Sequence, residues 1–437
     1  MKPFWQLADH GGYIVCGDKQ VTYQELIEKV NVRQRALSKN SKLLCALVAH
    51  NNLEFLVTYL SLLQANHTIL LIDPKKTQAE ISSVSKHFKV NYLFDGAQVT
   101  ELDSNKHALA DDLALLLPTS GSSGVPKLVK LTYRNLIENC EGILSVLPIT
   151  KEDSIMTSLP LSYSFGLSIL HTHLAVGASI IMGQESLMSK PFWQTFEAHK
   201  VTSFYGVPFS FELLHRLRFD RLPLSNLKYM AQAGGRLSDN LWRELQKFSK
   251  NSGIPFYAMY GQTEATARIA IMMPEDFLSH SPGAIGDPLP SCQLYIDASN
   301  DEGELLFKGK NIFAGYASQI EDLAVCHIFD VLETGDIARK NSSGRFAIVG
   351  RSKRISKLEG RRINLDELEQ VIAQQLNKQV VIKSDDKSLN VYIEYLANNL
   401  EKSIAEIASC HVRQVKIIHI DSIPRLSNGK VDYHALD

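Results

Sequence analysis

The sequence has little that would tie it to an oxidising compartment, a metal or a membrane. Six cysteines (Cys16, Cys45, Cys140, Cys292, Cys326 and Cys410) are spread over 437 residues without a C-x-x-C pair. Scattered single thiols fit reduced, buried side chains better than disulfides or a zinc site. His171 and His173 in "LHTHLAVGA" have no adjacent carboxylate or third ligand to complete a metal set, so they read as core or capping histidines. No apolar run approaches membrane-spanning length, and "MKPFWQLADHGGYIVC" lacks a charged segment feeding an apolar one. No membrane span and a cytoplasmic location are expected. Charge of one sign is missing too: 46 Lys and Arg stand against 47 Asp and Glu, for a net charge of −1. No global field then recruits nucleic acid or a membrane surface, and partners must be argued from local sites.

What is present is an alternation of short apolar runs with amphipathic stretches. "TYQELIEKVNVRQRAL" opens with Thr22 and Glu25 in capping-box spacing, and "LTYRNLIENCEGILSVL" opens with Thr132 as a candidate N-cap. Between and beyond them, "LLCALVAH", "TILLID", "VTSFYGVP", "LKYMAQAGGRL" and "IPFYAMYGQTE" read as strands, the last three ending in Gly-bearing loops. This rhythm predicts an α/β fold with a large N-terminal domain of doubly wound sheets, whose ligand sites lie at the carboxyl ends of strands. From about residue 282 the texture changes to shorter strand-like pieces, "CQLYID", "GELLFKG" and "RFAIVG", which suggests a β-rich subdomain. Residues 1–350 are read as the core. Residues 351–437 are read as a small C-terminal α+β domain, opened by "RSKRISKLEGRR" with six basic residues and one glutamate, and by Asn364 as a helix cap.

After the apolar run "LALLLP" comes "TSGSSGVPK", Thr119 to Lys127. Its glycines let backbone N–H groups turn toward an anion, its serine hydroxyls add donors, and Lys127 supplies countercharge, so phosphate is the natural guest. A flexible polar turn is the plainer alternative. The spacing is G-x-x-G-x-P-K with Leu128 next, so the Walker pattern, which needs a magnesium-binding hydroxyl after the lysine, does not apply. Further motifs follow in order: "YGQTEA" (Tyr260 to Ala265), "GELLFKG" (Gly303 to Gly309), "TGD" (Thr334 to Asp336), "GRSKRISKLEGRRI" from Gly350, and "NGK" (Asn428 to Lys430).

Taken together and in this order, these motifs resemble those of the adenylate-forming enzymes, the superfamily of acyl-CoA synthetases, peptide-synthetase adenylation domains and luciferase. The resemblance covers essentially the whole chain. It implies an enzyme that uses ATP and Mg²⁺ to convert a carboxylic acid to an acyl-adenylate and then to a thioester. The thiol is expected to be that of coenzyme A or of an acyl carrier protein's phosphopantetheine, with coenzyme A leading. Transfer to an amine, or a nucleotide-binding protein without catalysis, are the rival readings.

By resemblance, Thr119, Ser120, Gly121, Ser122, Ser123, Gly124 and Lys127 cradle the β- and γ-phosphates. Tyr260, followed by Gly261 and Gln262, lies against adenine, Thr263 bonds the α-phosphate and Glu264 holds Mg²⁺. Gly234 and Gly235 pass close to the adenine and the acyl group, while Asp336 and Arg351 take the ribose. Lys430 reaches the reacting carboxylate and α-phosphate, and Lys353 is the hinge about which a mobile C-terminal domain turns. The basic run around Lys353 serves coenzyme A phosphates, an acidic carrier protein, or only solvent. Tyr163 stands where many acyl-CoA synthetases have His, and no match is found to the aspartate that holds an amino-acid ammonium, which disfavours amino-acid substrates. Tyr163, Phe165 and Phe204 are expected to line the acyl pocket, with Tyr205 and Phe209 as further candidates and core packing as the alternative.

Overall fold

Runs such as "LCALV" (Leu44–Val48) and "TILLI" (Thr68–Ile72) are buried at every position and pair in parallel. Continuous rather than alternating apolarity is what a strand covered on both faces requires. The computed structural model describes residues 2–8, 11–37, 41–118, 126–183, 185–296, 301–341, 344–358, 361–376, 378–385, 387–395 and 400–436. Among these, five sheets form a mixed α/β fold.

A seven-stranded sheet runs in the order Tyr316–Ala317, Leu128–Thr132, Leu113–Pro118, Thr68–Ile72, Leu44–Val48, Tyr92–Asp95, Gln98–Glu101. A nine-stranded sheet includes, side by side and parallel, Ser203–Gly206, Tyr229–Gln232 and Phe256–Tyr260. The core lies between these two sheets. One cluster of buried side chains joins Leu47 and Ile69 on the first to Ile180 and Ala231 on the second, through Leu56, Leu60 and Leu170 on intervening helices. The helix Leu53–Gln64 accordingly buries nine of its twelve residues, so it is apolar nearly all round. Its start is set by Asn52, whose side chain accepts the Phe55 N–H at 2.9 Å.

The caps read from sequence form. Glu25 accepts the Thr22 N–H at 2.7 Å, Thr132 and Asn135 make a reciprocal box, and Asn364 accepts from Asp366 and Glu367. His171 and His173 are core residues. His171 Nε2 lies 2.8 Å from the Tyr59 hydroxyl with Phe4 stacked on its ring, and burial lowers its pKa to about 3.

A four-stranded antiparallel sheet (Gln293–Ile296, Glu302–Lys308, Leu332–Lys340, Phe346–Arg351) follows. Beyond it come a hairpin of Ile355–Leu358 and Arg361–Asn364, and a three-stranded sheet of Val381–Ser384, Leu389–Ile393 and Val415–His419 with its own buried cluster around Ile372, Val391 and Ile404. Among the described residues, no helix is long and apolar enough to cross a membrane.

Candidate active site

The segments that leave three neighbouring parallel strands, Val207–Phe209, Gly234–Gly235 and Gly261–Glu264, open on one cavity of about 2450 Å³. Carboxyl ends of parallel strands collect ligand-binding loops because each chain must turn there toward a crossover. Gly234 has φ +86°, and a Cβ on it would stand 2.6 Å from the Tyr163 hydroxyl, so only glycine fits that turn.

At one end of the cavity, Asp336 and Arg351 face each other across neighbouring strands, with Arg351 Nε 3.3 Å from Asp336 Oδ1. The Tyr260 hydroxyl donates to Asp336 Oδ2 at 2.5 Å. Burial raises the Asp336 pKa, while Arg351 and the Tyr260 bond oppose that rise. The result is an acceptor carboxylate with a cation beside it. Next to this trio, Thr263 Oγ1 lies 3.2 Å from Ser164 Oγ, and Glu264 Oε1 accepts from the Tyr316 hydroxyl at 2.8 Å. Glu264 and Thr263 offer oxygen donors alone, the set a hard divalent cation such as Mg²⁺ takes alongside phosphate oxygens. Tyr316 was not singled out in the sequence. It sits in a two-residue strand, Tyr316–Ala317, whose only local sign is the preceding Gly315.

Lys430 enters the cavity from the C-terminal turn. Gly429, at φ +81°, packs where a Cβ would be 2.8 Å from Val207, so the turn seats directly on the core. Arg425 fastens it, donating to Gly429 O at 3.0 Å and lying 4.5 Å over the Phe209 ring, and Ser427 hydrogen bonds Asp73. Lys430 Nζ ends 5.7 Å from the Tyr163 ring centroid. Burial, helped by Arg351, lowers its pKa to about 8, with Asp336 and Glu264 pulling the other way.

The remaining predicted residues divide. Thr119, Ser120, Gly121, Ser122, Ser123 and Gly124 lie outside the described residues, but both flanks of that loop, Pro118 and Pro126, line the cavity. Lys127 is exposed just before the strand Leu128–Thr132. Gly235 and Gln262 line the cavity, and Gln262 Nε2 is buried without a partner among the described residues. Lys353 is exposed in the turn Ser352–Arg354 at the cavity edge. Of the basic run around it, Arg354 is used internally, against Asp366 at 2.9 Å, Glu369 and the Tyr433 ring.

Tyr163 and Phe165 form the far wall, ring centroids 6.3 Å apart, and Phe209 joins them as a lining residue. Phe204 does not. It packs edge-on against Phe211 at 5.6 Å on the opposite side of the sheet, because neighbouring strand residues face opposite ways and Tyr205 takes the other face. A residue absent from the sequence reading stands on this wall instead: Arg268, 1% exposed, lies 4.1 Å over the Phe165 ring. Its only sequence sign is a lone cation in the apolar stretch "ARIAIMM".

A family model described as AMP-binding enzyme matches residues 95–317, a little over half of the chain. Over 480 residues the chain is 26% identical to gramicidin S synthase 2 of Brevibacillus brevis, covering 97% of itself and 10% of that protein. The chain thus spans about a tenth of the length of that relative. It is 24% identical to the 2-succinylbenzoate–CoA ligase of Bacillus pumilus, covering 100% of itself and 97% of that enzyme. Its fold superposes on an O-succinylbenzoate coenzyme A synthetase from Bacillus subtilis in complex with AMP, with a TM-score of 0.80, 21% identity, and coverage of 98% and 97% of the two chains.

Proposed function

The chain belongs to the AMP-binding enzyme family, and on that premise we propose that it is an AMP-forming acid–thiol ligase. In the first step a carboxylate oxygen attacks the α-phosphorus of ATP, a C(O)O–P bond forms, the α–β bond breaks and pyrophosphate leaves. In the second, a thiol sulfur gives up its proton to solvent and attacks the acyl carbon, the C–S bond forms, the acyl C–O bond to the phosphate breaks, and AMP leaves with that bonding pair. The acid is a non-amino acid, aliphatic or aryl, and the thiol is that of coenzyme A.

One observation carries this reading: Lys430, from the last ten residues, stands in the same cavity as Tyr260, Thr263, Glu264, Asp336 and Arg351. Charge that develops on phosphoryl oxygens is best met by preorganised cations and donors in a site removed from water. On this reading Asp336 accepts the ribose hydroxyls beside Arg351, Tyr260 borders the adenine, Thr263 bonds the α-phosphate and Glu264 holds Mg²⁺ against the phosphates. The loop Thr119–Lys127 takes the outer phosphates. Lys430 neutralises the carboxylate and α-phosphate as they meet. After adenylation, residues 351–437 turn about Lys353 and withdraw Lys430, which makes room for the thiol.

A carrier-protein thiol is the second reading, favoured by the identity to a peptide synthetase ten times the length of the matched segment. Pyrophosphate release with Mg·ATP, measured over aliphatic, aryl and amino acids with and without coenzyme A, tests both. Release stimulated by coenzyme A for one acid class is the expected result. Release indifferent to coenzyme A moves the acceptor to a carrier protein or an amine, and no release with any acid overturns the ligase.

A further inference from the structure

Arg268 is a cation that the fold has removed from water without an anion beside it among the described residues. Among the described residues its guanidinium makes one hydrogen bond, from Nε to Met259 Sδ at 3.3 Å, and Nη1 is buried with no partner. The Phe165 face offers a cation–π contact, which is weaker than the lost hydration. Burial accordingly lowers its pKa, to about 10.

The backbone prevents relief of this cost. Thr266, at φ +62°, takes the left-handed conformation that turns the chain back after Glu264, and its hydroxyl donates to Asn311 O at 2.7 Å. Two buried asparagines then hold the Arg268 carbonyl: Asn139 Nδ2 donates at 3.0 Å and Asn311 Nδ2 at 2.9 Å. With its carbonyl held on both sides, the Arg268 backbone is fixed at the cavity, which the residue lines.

Its position along the cavity identifies the ligand group. Lys430 is 5.7 Å from the Tyr163 ring, Tyr163 is 6.3 Å from Phe165, and Phe165 is 4.1 Å from the Arg268 guanidinium. An acyl chain laid along these two rings from the lysine assigned to the reacting carboxylate would end at the Arg268 guanidinium. Resting on the ligase reading, we propose that Arg268 receives a second carboxylate at the distal end of the acyl substrate, and that the protein selects dicarboxylic acids over monocarboxylic acids of the same length. A guanidinium and a carboxylate match in bidentate geometry, and a site whose buried polar group stays unpaired with the wrong substrate discriminates strongly.

The test uses matched pairs: adipate with hexanoate, suberate with octanoate, and 2-succinylbenzoate with 4-oxo-4-phenylbutanoate. ATP–pyrophosphate exchange should favour one dicarboxylate over its partner by about 10²-fold in kcat/KM. Arg268→Met should abolish or invert that preference and leave the ligand-free protein at least as heat-stable, since a buried unpaired charge is replaced by an apolar side chain. Arg268→Lys should keep part of the preference. Exchange that favours the monocarboxylates in the wild type, or a preference for the diacid unchanged in Arg268→Met, overturns the proposal while leaving the ligase reading intact. Thermal shifts by the same six acids in the presence of AMP read the anion site without chemistry. A diacid shift present in the wild type and lost in Arg268→Met, without exchange, supports the anion site and overturns the ligase; no shift and no exchange overturns both.

Discussion

At the Asp336 end of the cavity the acidic groups already have partners, whereas at the Phe165 end a fully buried arginine has no anion among the described residues. Asp336 is held by Tyr260 and Arg351, and Glu264 by Tyr316. Arg268 has a thioether and an aromatic face. A carboxylate with a cation already beside it, as Asp336 has Arg351, suits a ligand that brings hydroxyls, which exchange for the tyrosine donor without disturbing the charge balance. A cation left unpaired suits a ligand that brings the missing charge itself. On the proposed reading the first end takes the nucleotide and the second the acid.

The strongest way to break that comparison is through Lys430, which stands between the two ends. Lys430→Ala should lower ATP–pyrophosphate exchange by about 10²–10³-fold, the scale of losing one preorganised charge at a developing anion. Thioester formation from a pre-made acyl-adenylate should change far less, and equal losses in both assays would mean that the lysine only seats the turn. At the nucleotide end, Asp336→Ala should raise the KM for ATP by about 10–100-fold, as expected for hydrogen bonds to a charged acceptor. An unchanged KM would place the ribose elsewhere.

A pH profile sharpens the same contrast. On the proposed reading Lys430 acts as the ammonium, and burial lowers its pKa to about 8, so kcat/KM for exchange should hold below pH 8 and fall about tenfold per pH unit above it. In Lys430→Arg the alkaline limb should vanish, because arginine stays charged. A limb that persists at the same pH belongs to another group.

Smaller effects follow from the frame that carries each end. Gly429→Ala places a side chain at φ +81° and against Val207, so exchange should fall roughly tenfold, the equivalent of about 1–2 kcal/mol of strain at the turn. Full activity there would show that the turn has room to shift. Asn52→Ala, remote from both ends, removes the bond to the Phe55 N–H and should cost about 1 kcal/mol of stability in denaturant unfolding, with exchange per folded molecule unchanged.

How much of this was legible in the sequence differs between the two ends for a physical reason. Tyr260, Thr263 and Glu264 lie in one short contiguous motif at the end of the strand Phe256–Tyr260, and Asp336 in another within the strand Leu332–Lys340. Their grouping in space needs the four-stranded sheet to pack beside the ends of the parallel strands, where the Tyr260 hydroxyl meets Asp336. The aromatic wall was half legible: Tyr163 and Phe165 reach the cavity, but Phe204 packs behind the sheet, since a strand residue's face depends on register and composition does not report it. Tyr316, which braces Glu264, is separated from it by 52 positions.

By itself the sequence determined the strands and the caps at Thr22, Thr132 and Asn364, all of which depend on residues within a few positions of one another. Only the tertiary structure decided that Arg268 is buried and unpaired, since the asparagines that pin it come from Asn139 and Asn311, 129 and 43 positions away. It likewise decided that the Asn428–Lys430 turn reaches Tyr163. Hydrogen bonding in a turn is local, whereas burial and the neutralisation of charge are properties of which distant segments come to lie side by side.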